Sequence, residues 1–272
     1  MTARDKSQQI LAGIAMAGQV AMTSPLLSNT SNNNQVLDEK SRKVALDISE
    51  QEHQEIIAKL SSYVNSPAGH LERETELYLE QQLSEILGFK VRTQLDGNRL
   101  NHSIGIMGSE QHLLRFPGDQ VQDHDAFQEA GMASNRGAFG WFTENGQLTK
   151  EAILREKYYF AVQLMYLSDW NQNHQELKPW YKFRKMIVIN PAEQIAVVAV
   201  IADAGPAMWV KKQFGGSPEV IREGKIWSPN SKGKVMLLFV DDEENKIPLG
   251  PISLDFKTIL ARNQSESSPK II

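Results

Sequence analysis

The sequence predicts an α+β chain that is mainly β, and three observations carry that reading. Before residue 90, apolar residues recur at helical spacing in two separate stretches. After Phe89 the texture changes to short runs rich in Val, Ile and aromatic residues, punctuated by Gly, Pro and Asn. The third observation is Ile195–Ala202, IAVVAVIA, an unbroken apolar run bounded by turn residues. It is short for a helix and rich in β-branched side chains, so it reads as a buried strand.

The bulk properties remove several classes of function. A chain of 272 residues is long enough to bury a sizeable core, and 41% hydrophobic with 23% charged residues is an ordinary globular balance. A formal charge of −4 leaves no electrostatic footprint for nucleic acid or for an anionic membrane surface. There is no cysteine, which excludes disulfides, thiolate metal sites, thiol nucleophiles and a lipid-modified cysteine together.

Taken in order, residues 1–27 have the layout of a signal or anchor segment. Arg4 and Lys6 precede the apolar run Ile10–Met22, and Ala15-Met16-Ala17 offers small residues for cleavage. Any membrane attachment is expected only through this segment. Residues 28–43 are polar and Asn/Ser-rich, as in a flexible linker. Residues 44–100 are expected to form a helical hairpin. Ser49 with Glu52 gives a capping box ahead of Ile56, Ile57, Leu60 and Val64; Leu79, Leu83, Ile86 and Leu87 define a second helix stopped by Gly88. The charges on that second helix, Glu72, Arg73, Glu76, Glu80 and Glu85, read as a solvated face.

Residues 101–256 are expected to be a barrel domain and 257–272 a tail. Strands are expected at Ile104–Met107, Gly137–Phe142, Tyr158–Met165, Met186–Ile189, Ile195–Ala202 and Lys234–Val240, with Ile247–Pro251 closing the barrel edge. Thr149 caps a helix over Leu148–Lys157, and Ser217-Pro218 starts another. Trp170–Trp180 reads as a polar excursion, Ser228–Gly233 as a turn and Arg262–Ile272 as disordered.

Asp203 stands at the end of the Ile195–Ala202 run, followed at once by Ala204-Gly205-Pro206. A carboxylate delivered by a rigid strand into a turn has two uses. It can hydrogen-bond the turn it starts, or, partly desolvated, it can serve as a general acid.

The stretch Ile187–Gly216, with its VIN strand, Asn-Pro turn, AVVAVIA strand and Asp203-Ala-Gly-Pro206, resembles the central motif of rare-lipoprotein-A-like proteins. Expansins and membrane-bound lytic transglycosylases share that barrel. The resemblance is close over these residues and loose from Ser103 to Pro251. It implies a six-stranded double-psi β-barrel, a cell-surface or extracellular location, and peptidoglycan or another cell-wall glycan as partner. It further implies lytic-transglycosylase-like cleavage, Asp203 acting first as acid toward the glycosidic oxygen and then as base toward a sugar hydroxyl. The same groove used without cutting gives an expansin-like, non-catalytic alternative. Two family features differ here. Tyr159–Gln163 carries no histidine, Gln163 standing nearest its place, and Gly215-Gly216-Ser217 stands where the family has a second acid.

Around Asp203, the substrate-binding residues expected are Gln163, Trp209, Lys211, His112, Asp119, Tyr159 and Gly205; no cofactor and no metal are expected for that chemistry. Trp209 follows Asp203 in a loop, where an indole can stack on a sugar face. A third reading comes from the His-rich loop Ser109–Asp125. His112 with Asp119 resembles half of a zinc D,D-carboxypeptidase motif, and the stretch from Trp170 to His174 echoes the other half. Convergence of His112, Asp119 and His174 would favour zinc; an open trough with exposed rings would favour polysaccharide.

Overall fold

A computed structural model describes residues 48–124, 128–227 and 232–267. The expected signal segment and linker lie outside the described residues.

Helix α1 (Glu50–Val64) opens on the expected capping box. Ser49 Oγ accepts from the Glu52 amide at 3.2 Å and Glu52 Oε2 accepts from the Ser49 amide at 2.9 Å. Helix α2 (Arg73–Leu87) ends at Gly88, whose φ of +79° is the left-handed cap glycine tolerates best. Strand β1 (Val91–Arg92) and the small pair β2 (Gln94–Leu95) and β3 (Asn98–Arg99) lead into β4 (Ile104–Ser109). After a long loop come α3 (Lys150–Lys157), β5 (Tyr159–Val162), α4 (Trp170–Tyr181), β6 (Lys185–Asn190) and β7 (Ile195–Asp203). The chain continues through β8 (Phe214–Gly216), α5 (Pro218–Glu223), β9 (Lys232–Val240), β10 (Gly250–Ser253) and α6 (Phe256–Ser267). Thr149 and Ser217 cap α3 and α5 as their positions predict.

Six strands close into a barrel in the order β9, β4, β8, β5, β7, β6 and back to β9. The pairs β4·β8 and β5·β7 are parallel and the other four antiparallel. Alternation along the strands separates two apolar layers. Met186, Val188, Val197, Ala199, Ile201, Val235, Leu237 and Phe239 pack into one cluster with Met107, Phe160 and Phe214. Their neighbours Ile187, Ile189, Ala196, Val198, Met236 and Leu238 pack instead with Leu60 of α1, Leu83 of α2 and Ile259 of α6. Strands buried on both faces need apolar side chains at every position, which is why these runs do not alternate with polar residues. Each such side chain contributes about 1.5–3 kcal/mol when fully buried.

The structure departs from the sequence expectations at several places. The strand expected over Tyr158–Met165 covers only Tyr159–Val162, with a single helical turn following at Leu164–Tyr166. Gly137–Phe142 is a loop; Gly140 turns there with φ +87°, and the Ala138 amide is spent on a side chain of β7. Trp170–Tyr181 is a helix with a kink at Asn173, held by Leu177 and Tyr181 packing into the barrel cluster. Strand β10 does not close the barrel. It pairs with Ile195–Val198, the half of the β7 edge that β5 leaves free. The expected tail is helical as far as Ser267, anchored by Ile259 and by Arg262 Nη2 donating to the Ile86 and Leu87 carbonyls at 3.1 and 3.3 Å. Of the expected turn at Ser228–Gly233, Lys232 and Gly233 belong to β9 and the rest lies outside the described residues.

The charged residues expected to be solvated divide: Glu72 and Arg73 are exposed, Glu76 and Glu80 are not. Glu76 and Glu80 are 1 and 2% exposed. Glu76 takes Arg99 Nη2 and Ser103 Oγ, the latter at 3.1 Å; Glu80 takes the Thr93 amide at 3.0 Å and Arg73 Nη1 at 3.0 Å. The helix is thereby tied to β1–β3 by charge-assisted hydrogen bonds from residues 13 to 27 positions away.

A second clamp fixes the end of β9 to β6. Lys185 Nζ donates to Asp242 Oδ2 at 2.6 Å, and the Lys246 and Ile247 amides donate to the same carboxylate at 2.8 and 2.9 Å. Burial raises the Asp242 pKa, but the Lys185 hydrogen bond and then the two amides outweigh it and leave it below the ordinary aspartate value. A depressed carboxylate contributes stability that is present above its unfolded pKa and lost as pH falls through its folded one. Asp242→Asn should therefore cost about 1–3 kcal/mol at pH 7. The gap from wild type in urea titrations should close as pH drops below about 4. A gap that stays constant down to pH 2 would assign the effect to packing.

Candidate functional site

Two groups of residues meet at the ends of β4, β5 and β7. The first surrounds Asp203. Opposite β5 the register runs Tyr159 to Val200, Phe160 to Ile201, then Ala161 to Asp203, so Ala202 is an extra residue on β7. Such a bulge re-aims the side chain that follows it. Asp203 Oδ1 accepts from the Ala138 and Ala204 amides, both at 2.9 Å, pinning the 137–140 turn to the strand end. Its Oδ2 accepts no hydrogen bond among the described residues.

The chain then passes through Gly205 and a cis peptide to Pro206 into a single turn, Met208–Val210, closed by Lys211 with φ +54°. Trp209 is 80% exposed and Met208 62%, and Lys211 is also exposed. Gln163, at the end of β5, is buried, its Nε2 directed to the Lys212 carbonyl at 3.4 Å. Lys212 Nζ in turn reaches Glu110 Oε1 at 2.8 Å. Glu110 crosses over Gly215, where a Cβ would lie 2.1 Å from Oε1. The lack of a side chain at Gly215 is thus what lets Glu110 lie there.

The second group is buried between the 111–124 loop, α3 and β5. Glu156, in the last turn of α3, accepts from the Leu113 amide at 3.1 Å and faces two imidazoles. His112 Nδ1 is 3.2 Å from Oε1, and His124 Nδ1 is 2.9 Å from Oε2. His124 Nε2 lies 3.0 Å from Asp119 Oδ2, and Arg115 holds Asp119 with Nε at 2.9 Å and Nη2 at 2.6 Å. Burial raises the carboxyl pKa values and lowers the imidazole ones, yet mutual contact prevails throughout. Glu156 is held below its ordinary value by His112 and His124, and Asp119 by Arg115 and His124; both histidines are lifted by Glu156. Tyr159 packs beside this group, its hydroxyl donating to the Gln111 carbonyl. Burial first, and then the charges of Glu110, Glu156, Asp203 and Glu219, hold its phenol well above the usual range, so it stays neutral.

Of the residues singled out from sequence, His112, Asp119 and Tyr159 sit together in the buried group. Asp203, Gly205, Trp209, Lys211 and Gln163 belong to the β5, β7 and β8 ends. His174 is exposed on α4 and belongs to neither group, so the three-residue zinc set His112, Asp119 and His174 does not assemble. Glu156 and Arg115 were missed. Glu156 had one available signal, its place four residues after Ala152, on the same face of the helix. Two open clefts of about 370 and 390 Å³ lie elsewhere, one beside Asn190 and Trp227, the other beside His70 and Asp169; Asp203 lines neither.

The double amide contact makes a prediction about Asp203. Asp203→Asn keeps an acceptor for both N–H groups and should cost less than about 1 kcal/mol, whereas Asp203→Ala orphans both and should cost about 1–3 kcal/mol. Urea midpoints of the two variants check this; equal losses would mean that the amides do not depend on the side chain.

Searches of family models, of curated proteins and of solved structures return no match to this chain, so its function is argued from these residues alone.

Proposed function

We propose that this chain is a cell-wall glycan-binding protein of the rare-lipoprotein-A-like and expansin-like kind, acting without cleavage. In this reading the barrel is double-psi in topology and α1 with α2 forms a helical hairpin on its outside. The two parallel strand pairs, each flanked by antiparallel ones, support that topology. The carrying observation is Trp209, an indole 80% exposed on the loop that leaves Asp203. Met208 and Val210 flank it and Lys211 follows. An apolar tip with a bare ring is an interaction feature, and a flat ring suits the apolar face of a sugar. Lys211 supplies a cation for the carboxylates of an acidic muropeptide, and Asp203 Oδ2 an acceptor for sugar hydroxyls. Peptidoglycan as the partner places the protein at the cell surface, with residues 1–27 directing it there.

Cleavage by Asp203 in the manner of a lytic transglycosylase is the second reading, favoured by the unengaged Oδ2. Against it stand Oδ1, tied to two amides in a structural turn, and Gln163, whose amide cannot exchange a proton near neutral pH and is buried where the family has histidine.

Cosedimentation with purified peptidoglycan separates the two. The wild type should pellet with the polymer. Trp209→Ala should weaken retention about 10-fold, the equivalent of about 1.4 kcal/mol, while Asp203→Asn weakens it less. A wild type that stays in the supernatant ends the glycan reading. Anhydro-muropeptides found by mass spectrometry, and lost in Asp203→Asn, would replace binding by cleavage.

A further inference from the structure

We propose that His112, His124 and Glu156 form a structural binding site for a divalent transition ion of the zinc class. One donor atom from each of the three lies within 4.8 Å of the others. The imidazole rings are 4.7 Å apart between centroids and inclined at 46°, with the Glu156 carboxylate facing both Nδ1 atoms. Ligands about 2.0–2.2 Å from a tetrahedral zinc are themselves a little over 3 Å apart. The observed contacts of 3.2 and 2.9 Å already have that scale. Two nitrogens and one carboxylate oxygen suit zinc, cobalt or nickel better than magnesium or calcium, which prefer all-oxygen shells.

The surroundings are built as metal ligands require. A ligating histidine is oriented by a partner on its other ring nitrogen; for His124 this is Asp119 at 3.0 Å, itself gripped by Arg115 through both oxygens. Glu156 is oriented by the Leu113 amide. An ordinary ion pair needs one partner per charge. Here three donors converge on one small volume, with further groups fixing their directions. His112 and Glu156 are 1 and 3% exposed, so the site admits no bulky substrate and its ion would be structural. It would join the 111–124 loop to α3, two segments between which the chain runs through a long loop.

Untagged full-length protein, stripped with dipicolinate, is titrated with Co²⁺ and separately with Zn²⁺. One Co²⁺ per chain should bind with the visible absorption of a four-coordinate site of two nitrogens, a carboxylate oxygen and one water, and Zn²⁺ should displace it. Zn²⁺ should also raise the melting temperature by at least about 5 °C. Asp119→Asn, which alters only the outer partner, should weaken binding about 10–100-fold. His124→Gln should abolish the cobalt spectrum, while His174→Ala, on exposed α4, should leave it unchanged. If His124→Gln does not fold, the wild-type spectrum and the Asp119→Asn affinity decide alone. A wild type that binds neither ion at 100 μM overturns the proposal, as does a spectrum indifferent to Asp119→Asn; either outcome leaves the group a network of ion pairs about Glu156.

Discussion

Strand β7 is hydrogen-bonded on both edges and buried on both faces, and the rest of the structure depends on that. One edge takes β6 over Ile195–Val200. The other is divided between β10 at Ile195–Val198 and β5 at Val200–Asp203. A strand in that position has no freedom of register, because a slip of one residue would exchange the interior cluster for the outer one. Its rigidity passes to the bulge at Ala202 and from there to Asp203 and the 137–140 turn. The geometry at the end of the barrel is therefore set by the pairing of β7 as well as by the 137–140 turn.

The two groups at that end differ in what they can do. Around Asp203 the polar atoms are shared between structural amides and solvent, and the exposed atoms belong to Trp209 and Lys211. Around Glu156 the polar atoms are used up on one another, away from water. A low local dielectric strengthens every contact in the second group and makes the loss of any partner costly. The first group leaves the side chains of Trp209 and Lys211 exposed at the surface, while the second ties the 111–124 loop to α3.

Much of the barrel was legible because a buried strand leaves a local signature. Ile195–Ala202, Met186–Ile189 and Lys234–Val240 each announce themselves by composition, and the caps at Ser49, Thr149 and Ser217 by residue type and spacing. What was not legible depended on partners distant in sequence. Glu76 and Glu80 carry the same letters as a solvated helix face; only Arg99, Ser103 and Thr93 make them interior residues. Glu156 is buried because His112 and His124 come to it from more than 30 positions away. Helix α6 was hidden in a polar stretch because its anchors, Ile259 and the preceding Leu254, are too few to set a period. At the site, the position of Asp203 was readable from its strand, but its use by the Ala138 amide was not.

Helix α6 also bears on how the protein is made. The outer layer built by α1 and α2 is incomplete without it: His53 of α1 meets the Leu254 carbonyl at 2.8 Å and lies against Phe256 with the rings inclined at 52°, and Arg262 closes the end of α2. His53 and Leu254 are 201 residues apart. On a ribosome adding about 5–20 residues per second, the first two helices emerge and then wait at least about ten seconds for the segment that covers them. Within that interval the strand residues that pack on Leu60 and Leu83, from Ile187 to Leu238, are made first, so α6 is the last piece of the outer layer to be laid down.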